Sequence, residues 1–122
     1  MSVTLLLVED NDLSRDMLSR RLKRAGFDTL LATDGAEALQ MMHRARPDLV
    51  LLDMNLPVLD GWSVCSRARA TPPIAGIPII ALTAHALADD RARAMDSGCD
   101  DYATKPVDFP QLLQQIRRLL ER

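Results

Sequence analysis

The 122-residue chain lacks a long apolar run and an excess of basic charge. No stretch approaches the ~20 apolar residues that a membrane-spanning helix requires, and the apolar run near the N-terminus is too short for a signal peptide. The formal net charge of -2 argues against a nucleic-acid partner, because neutralising phosphates requires a net basic face. We therefore expect a cytoplasmic protein that binds neither a membrane nor a nucleic acid directly.

The chain also lacks a CxxC pair, internal repeats and linkers. Cys65 and Cys99 have no nearby histidine partners, so we predict that both are small buried packing residues rather than ligands or nucleophiles. With 48% hydrophobic residues, the chain can bury a core of its own without disulfides or a structural metal. One domain over residues 1–122 is the expected organisation.

Short apolar runs alternate with segments that have helical periodicity. The predicted buried strands are Thr4 to Val8, Thr29 to Ala32, Leu49 to Leu52, Ile77 to Leu82 and a short fifth strand between Asp101 and Thr104. In the first intervening segment, one apolar stripe contains Leu13, Met17, Leu18, Leu22 and Ala25. This alternation predicts five βα units, and therefore a parallel sheet with helices on both faces.

Capping residues predict several helix boundaries. Asp34 is placed to cap the second helix, with Glu37 as its reciprocal partner, and Gly26 is placed to end the first. The last helix should open at Asp108. Its core face is predicted to contain Leu112, Leu113, Ile116, Leu119 and Leu120.

Polar side chains follow four of the five predicted strands. Because parallel strands end at one edge of a sheet, and function in open α/β sheets collects there, we expect these side chains to lie together. They are Glu9 and Asp10 after strand one, Asp53 after strand three, Thr83 after strand four, and Lys105 with Pro106 after strand five.

The charges of this set point to phosphoryl chemistry. Three carboxylates in a small space repel one another, and an oxygen-only ligand set favours Mg²⁺ as the remedy. A metal alone would not need Lys105 and Thr83, whereas a phosphoryl group on Asp53 would use the lysine to balance its charge and the hydroxyl as a donor. We therefore predict that Asp53 is a carboxylate nucleophile that forms an aspartyl phosphate.

These residues resemble the receiver domains of two-component response regulators, the CheY-like superfamily, over the full length of the chain. The resemblance implies a doubly wound (βα)₅ fold, whose five-stranded parallel sheet has the flavodoxin-like order 2-1-3-4-5. It also implies a single receiver domain over residues 1–122 without an output domain. The matching motifs are Glu9-Asp10, the DMNLPVLDG segment from Asp53 to Gly61, Thr83-Ala84 and Lys105-Pro106.

The resemblance assigns roles to the residues at the strand ends. It implies that Asp53 takes a phosphoryl group from a phosphohistidine, assisted by Thr83 and Lys105, and that the bond from Lys105 to Pro106 is cis. Such a domain is a signalling protein that catalyses only its own phosphorylation and dephosphorylation. The implied Mg²⁺ ligands are Glu9, Asp10, Asp53 and the backbone carbonyl of Asn55.

A conformational switch is also implied by the resemblance. Thr83 and Tyr102 would couple phosphorylation to the surface formed by helix four, strand five and helix five. Asn55 and His85 each lie two residues beyond a site residue, where they can help or hinder an attacking water. These two positions leave the lifetime of the phosphoryl group open.

The expected partners are a histidine kinase or histidine phosphotransfer protein and an unidentified downstream protein target. We predict that the donor docks on the first helix and on the loops around Asp53, since transfer requires in-line approach. Substitutions at Ser14 or Arg15 should test docking, whereas those at Leu13 or Met17 should test core packing. The chain is either a free-standing regulator or phosphate shuttle, or part of a larger protein such as a hybrid kinase.

Other functions fit the sequence less well. A phosphatase of the haloacid dehalogenase type requires a second acid where Asn55 stands, and a calcium loop requires glycine where Val58 stands. Flavin binding is disfavoured because the first loop, EDNDLS, is acidic and lacks glycine. The remaining alternative is a receiver-like interaction module that works without phosphorylation.

Overall fold

The structure, a computed structural model, describes residues 2–84 and 88–122 as an alternation of strands and helices. The strands are β1 (Thr4–Val8), β2 (Asp28–Ala32), β3 (Leu49–Asp53), β4 (Ile79–Thr83) and β5 (Asp101–Thr104). The helices are α1 (Asp12–Arg24), α2 (Gly35–Ala45), α3 (Gly61–Arg69), α4 (Ala88–Asp96) and α5 (Phe109–Leu120), with a 3₁₀ turn at Pro72–Ile74. The predicted alternation is confirmed, and the 3₁₀ turn is an addition to it.

The five strands form one parallel sheet in the order β2-β1-β3-β4-β5. This order is the predicted 2-1-3-4-5. β2 lies on one side of β1, and β3, β4 and β5 lie on the other, so the order in which strands are added reverses between β1 and β3. The loops that leave β1 and β3 separate at this point. In open sheets such a switch point forms a crevice at the carboxyl ends of the strands.

Two apolar layers cover the sheet because neighbouring residues of each strand point to opposite faces. Leu5 and Leu7 pack with α1 and α5, whereas Leu6 and Val8 pack with α2, α3 and α4. The α5 contribution consists of Leu112, Ile116 and Leu119, all buried, with Leu120 half-buried beside them. The inner strands β1, β3 and β4 are therefore apolar on both faces up to their ends. The edge strands β2 and β5 begin with Asp28 and Asp101 and are only partly buried, so the prediction that all five strands are buried was wrong for these two.

Local capping positions the helices largely as predicted. The Asp34 carboxylate accepts a hydrogen bond from the Glu37 N–H at 2.8 Å, and the Asp108 carboxylate caps α5. Gly26 follows α1 with φ of +99°, a left-handed value that favours glycine. Strand β4 begins at Ile79 rather than at Ile77, because Pro78 lacks the N–H that a central strand must donate.

The prediction that Leu13 and Met17 belong to the core was wrong. Leu13 is 69% exposed and Met17 is 51% exposed, while the buried part of α1 lies around Leu22. The first turns of α1 directly follow the loop that leaves the carboxyl end of β1. They therefore place two apolar side chains on the surface beside the crevice.

Candidate functional site

Four strands and the loops after them bring the predicted site residues to one edge of the sheet. Asp53 and Thr83 are the last residues of β3 and β4, and Lys105 directly follows β5. Glu9 and Asp10 follow β1 by one and two residues. Glu9, Asp53 and Thr83 are buried and Asp10 is exposed.

The three acids form a cluster that could hold a metal ion. One carboxylate oxygen from each of Glu9, Asp10 and Asp53 lies within 4.8 Å of the others. Three negative charges this close are mutually destabilising unless a cation lies among them. An all-oxygen set with one exposed member suits Mg²⁺, which retains several waters when it binds protein.

Lys105 supplies the positive charge at this cluster. Its Nζ donates hydrogen bonds to Glu9 Oε2 at 2.9 Å and to Asp53 Oδ2 at 3.2 Å. Burial lowers the pKa of Lys105, but its hydrogen bonds to and attraction by these two carboxylates outweigh burial and raise the pKa overall. Lys105 is therefore a permanent cation at neutral pH.

The loop after β5 holds Lys105 in place. The Lys105 N–H donates to the Thr83 carbonyl at 2.7 Å, which ties this loop to the end of β4. The peptide bond from Lys105 to Pro106 is cis, as the resemblance implies.

Glu9 is the acid with the most perturbed proton affinity. Burial, together with a hydrogen bond to Asp53, raises the pKa of Glu9 to about 7, although Lys105 opposes the change. Without a bound cation, Glu9 therefore carries a proton for much of the time at neutral pH. A cation at the cluster would compete with that proton.

The turn after β3 presents the Asp53 carboxylate. Asp53 Oδ1 accepts a hydrogen bond from the Asn55 N–H at 3.0 Å, and the Gly61 N–H donates to the Met54 carbonyl at 3.0 Å. A Cβ atom at Gly61 would lie 2.6 Å from Met54 Cα and 2.8 Å from the Asp53 carbonyl oxygen. Gly61 is therefore required for the close approach of α3 to the backbone that carries Asp53.

Arg15 is a site residue whose role the sequence did not reveal. Its Nη1 donates to the Glu9 carbonyl at 2.9 Å and its Nη2 pairs with Asp12 at 2.5 Å, so it braces the loop that carries Glu9 and Asp10. Its side chain is only 17% exposed. Replacing Arg15 would also disturb the acidic pair, so it is a less clean test of docking than predicted, and the predicted docking role itself stays a prediction.

The two predicted switch residues lie on the same face of the sheet. Thr83 pairs with Thr104 in the β4–β5 register, and Tyr102 is two residues before Thr104, so its side chain points to the same side. Buried Gln115 of α5, which the sequence did not single out, donates through Nε2 to the Tyr102 carbonyl at 2.9 Å. The predicted role of His85 lies outside the described residues.

A groove of about 300 Å³ opens beside the acidic cluster, between α1 and the loop after β5. Apolar side chains form most of its walls, and Glu9 and Lys105 reach it from the site. The groove is lined by Leu7, Glu9, Ser14, Met17, Leu18, Arg21, Leu82, Lys105, Pro106 and Val107.

Comparison with known proteins identifies the family. Residues 5–117 match the sequence model of the response regulator receiver domain. The chain belongs to this family of two-component signalling domains. One relative, the "DNA-binding dual master transcriptional regulator RpaA" of Synechocystis, is 39% identical over 118 residues, which are 97% of this chain and 49% of that protein. This receiver chain spans about half the length of the curated relatives it matches.

Solved receiver domains have the same fold as this one. The receiver domain of sensor histidine kinase PA1611 from Pseudomonas aeruginosa, with a magnesium ion coordinated in its active site cleft, superposes with a TM-score of 0.93 at 36% identity over 100% of both chains. A chain of the Saccharomyces cerevisiae complex between histidine phosphotransfer protein Ypd1 and the receiver domain of Ssk1 matches with a TM-score of 0.90 and 30% identity, over 97% of this chain and 88% of that one. Within the described part of this receiver, no helix is long and apolar enough to cross a membrane.

Proposed function

We propose that this receiver accepts a phosphoryl group on Asp53 from a phosphohistidine of a histidine kinase or a histidine phosphotransfer protein. The observation that carries the proposal is the Lys105 ammonium, hydrogen-bonded to both Glu9 and Asp53 beside a cluster of three carboxylates. A simple metal site gains nothing from a lysine that competes with the metal for its ligands. A phosphoryl site requires the positive charge of the lysine as well as that of a metal ion, because the transferred group brings additional negative charge.

In the proposed step, one carboxylate oxygen of Asp53 attacks phosphorus. The new O–P bond forms as the P–N bond to the donor imidazole breaks, and the departing nitrogen keeps the electron pair. The Asn55 N–H and Lys105 Nζ hold the two carboxylate oxygens and so fix the orientation of the nucleophile. In dephosphorylation, a water attacks phosphorus and the O–P bond to Asp53 breaks, so the domain catalyses only its own modification.

The same residues fit a magnesium requirement. Bound Mg²⁺ would supply positive charge to the oxygens of the phosphoryl group in transit. The ligands that we propose are carboxylates of the cluster and one main-chain oxygen of the turn after β3. They are Glu9, Asp10, Asp53 and the backbone carbonyl of Asn55.

The donor is proposed to dock on the face formed by α1 and the groove beside it. Exposed Met17 lines the groove together with Ser14, and exposed Leu13 lies one turn before Met17 on α1. Isolated exposed apolar residues are common, but two on one helix, beside a groove that Glu9 and Lys105 reach, suit a protein surface that must approach closely. This face gives a phosphohistidine access to Asp53.

Phosphorylation is proposed to act through Thr83 and Tyr102 on the surface of α4, β5 and α5. Both side chains face the layer that contains α4, and Gln115 links Tyr102 to α5. A phosphoryl group that favours one arrangement of this layer by a few kcal/mol is enough to switch it. The downstream target is then a protein that distinguishes the two arrangements.

Residues 1–122 are proposed to act as one cytoplasmic receiver unit whose own contacts are with proteins. The net charge of -2 gives this unit no general attraction for nucleic acid. The DNA binding in the name of RpaA belongs to that protein, about half of which this chain matches.

The proposal is tested by intact mass spectrometry after incubation with acetyl phosphate, with Mg²⁺ or with EDTA. The wild type should gain one phosphoryl group with Mg²⁺ and none with EDTA, and Asp53→Asn should gain none. Asp28→Asn is a matched control, because Asp28 is an exposed acid at the opposite end of the sheet.

The alternative is an interaction module that works without phosphorylation. A wild type that gains no mass and also fails to bind beryllofluoride, while Mg²⁺ binding is observed separately, would favour that alternative. An adduct on Asp53→Asn equal to that of the wild type would show that another residue is the acceptor.

A further inference from the structure

The two cysteines, 34 positions apart in sequence, meet in the core. Cys65 of α3 and Cys99, which lies between α4 and β5, place their Sγ atoms 2.7 Å apart, and both are free thiols. They are the only cysteines of the chain. The prediction that each is buried is confirmed, but their contact makes them a dithiol rather than two independent packing residues.

The backbone around this pair is held in place. Arg69, one turn after Cys65 on α3, donates through Nε to the Gly98 carbonyl at 2.7 Å and through Nη2 to Asp100 at 2.6 Å. The Cys99 N–H donates to the Ala94 carbonyl at 3.2 Å. The residues on both sides of Cys99 are therefore fixed to the helix that carries Cys65, so the sulfurs need little backbone movement to approach bonding distance.

We propose that Cys65 and Cys99 are an oxidative modification site, at which a small peroxide converts the dithiol to an intramolecular disulfide. Cys65 is fully buried and Cys99 is 5% exposed, so a small oxidant is the class that fits. Cys99, the more accessible thiol, reacts first. The hydrogen bond between Cys65 and Cys99, and then the burial of Cys65, raise the pKa of the Cys65 thiol. Cys65 therefore remains a thiol until the second step.

The chemistry balances with one peroxide per pair. The Cys99 sulfur attacks a peroxide oxygen, the O–O bond breaks, and the products are a sulfenic acid and water. The Cys65 sulfur then attacks the Cys99 sulfur, the S–O bond breaks, and the Cys65 proton leaves with the hydroxyl group as a second water. The two thiols lose two electrons in all, and the peroxide gains them.

A disulfide between Cys65 and Cys99 would constrain the part of the fold that the proposed switch uses. The closed loop would contain α4 and also β4, which ends at Thr83. Ala94 of α4 packs in the same core layer as both cysteines. This regulatory consequence rests on the proposed function, whereas formation of the disulfide does not.

The test treats the folded wild type with hydrogen peroxide, removes the peroxide, and then alkylates all remaining thiols in denaturant. Intact mass should show two hydrogens lost and no alkyl group added, and peptide mapping should link the peptides of Cys65 and Cys99. Dithiothreitol should restore two alkylatable thiols. The unfolding midpoint of the oxidised form should be higher by roughly 10 °C.

Single variants test the order of events. In Cys65→Ala the Cys99 sulfenic acid has no partner, so a dimedone adduct should accumulate beyond that of the wild type. In Cys99→Ala the buried Cys65 should react more slowly than Cys99 does in Cys65→Ala. Equal reactivity of the two thiols would contradict this order.

Three results on the wild type would overturn the proposal: two alkylatable thiols after peroxide, a sulfinic acid without a cross-link, or a disulfide between two chains. Acetyl phosphate labelling of the reduced protein is run in parallel. A reduced protein that gains no phosphoryl group would count against the proposed function, while the state of the thiols would still decide the modification site.

Discussion

At the residue scale, the burial of Glu9 opposite Asp53 predicts a pH dependence of stability without Mg²⁺. The pKa of Glu9 is about 7 in the fold, against an ordinary value of 4.5. Between these values the folded protein keeps a proton that the unfolded chain has released, so the free energy of unfolding falls as the pH rises through this window. The loss should be on the order of 3 kcal/mol.

Urea denaturation in EDTA, at about pH 5 and about pH 8, measures this loss. Glu9→Gln should remove most of the decrease, because its amide cannot lose a proton. Asp28→Asn, which changes an exposed acid far from the site, should retain the decrease. Parallel profiles for the wild type and Glu9→Gln would contradict the assignment.

Val58, in the loop after Asp53, has an unfavourable backbone conformation. Its φ is +69° and it is 80% exposed, so a β-branched residue occupies the left-handed region without a packing contact that explains it. Val58→Asn should stabilise the protein by about 0.5–1 kcal/mol, since asparagine tolerates this region better. Val58→Thr keeps the β-branch and should leave the urea midpoint unchanged. Equal urea midpoints for Val58→Asn and Val58→Thr would argue against backbone strain at this position.

At the scale of single elements, α1 is predicted to bind the phosphohistidine donor through Leu13 and Met17. Replacing either with serine should lower the rate of phosphoryl transfer from a phosphorylated histidine phosphotransfer protein by about tenfold, because apolar contact area is lost. Labelling by acetyl phosphate should be unchanged, because that small donor needs no docking face. Radiolabel transfer on a rapid-quench timescale measures the first rate.

Met95→Ser is the matched control for this prediction. Met95 is an exposed apolar residue, 44% accessible, that belongs to α4 rather than to α1. Its replacement should leave transfer from the protein donor intact. A loss in the Met95 variant equal to that of Leu13→Ser would move the docking face away from α1.

The case of α1 also shows what the sequence can and cannot predict. Apolar spacing correctly predicts the helix and the burial of Leu22, but it also predicts Leu13 and Met17 in the core, because spacing alone cannot show how much of the helix its neighbours cover. The site acids are predictable because each lies at the end of an apolar strand or directly after it. The hydrogen bond from Arg15 to the Glu9 carbonyl six positions away and the contact of Cys65 with Cys99, 34 positions away, carry no local signal in the sequence.

At the scale of the whole molecule, the proposed switch predicts a response of α4, β5 and α5 to a phosphoryl mimic. Beryllofluoride with Mg²⁺ should change amide hydrogen exchange in these three elements and leave α2 unchanged, because the strands that α2 mainly contacts are β1 and β2. Thr83→Ala should still bind beryllofluoride but lose the change in exchange. The same exchange pattern in Thr83→Ala and wild type would contradict a role for Thr83 in the switch.

The order of the strands explains why the site and the switch share one small domain. β1 and β3 are central and carry the acids, whereas β4 and β5 carry Thr83 and Tyr102 toward one edge. Charge placed on Asp53 is therefore one strand away from Thr83 and two strands away from Tyr102. Short distances of this kind allow a local change to bias a packed layer without a long pathway.

Locating the phosphoryl group tests directly whether Asp53 is the acceptor. Protein labelled by acetyl phosphate with Mg²⁺ is reduced with borohydride, which converts an aspartyl phosphate to homoserine, and is then digested and sequenced by mass spectrometry. We predict homoserine at position 53 alone, and none when EDTA replaces Mg²⁺. Homoserine at Asp10, or a stable phosphoryl group on a hydroxyl or histidine side chain with Asp53 unmodified, would contradict the account.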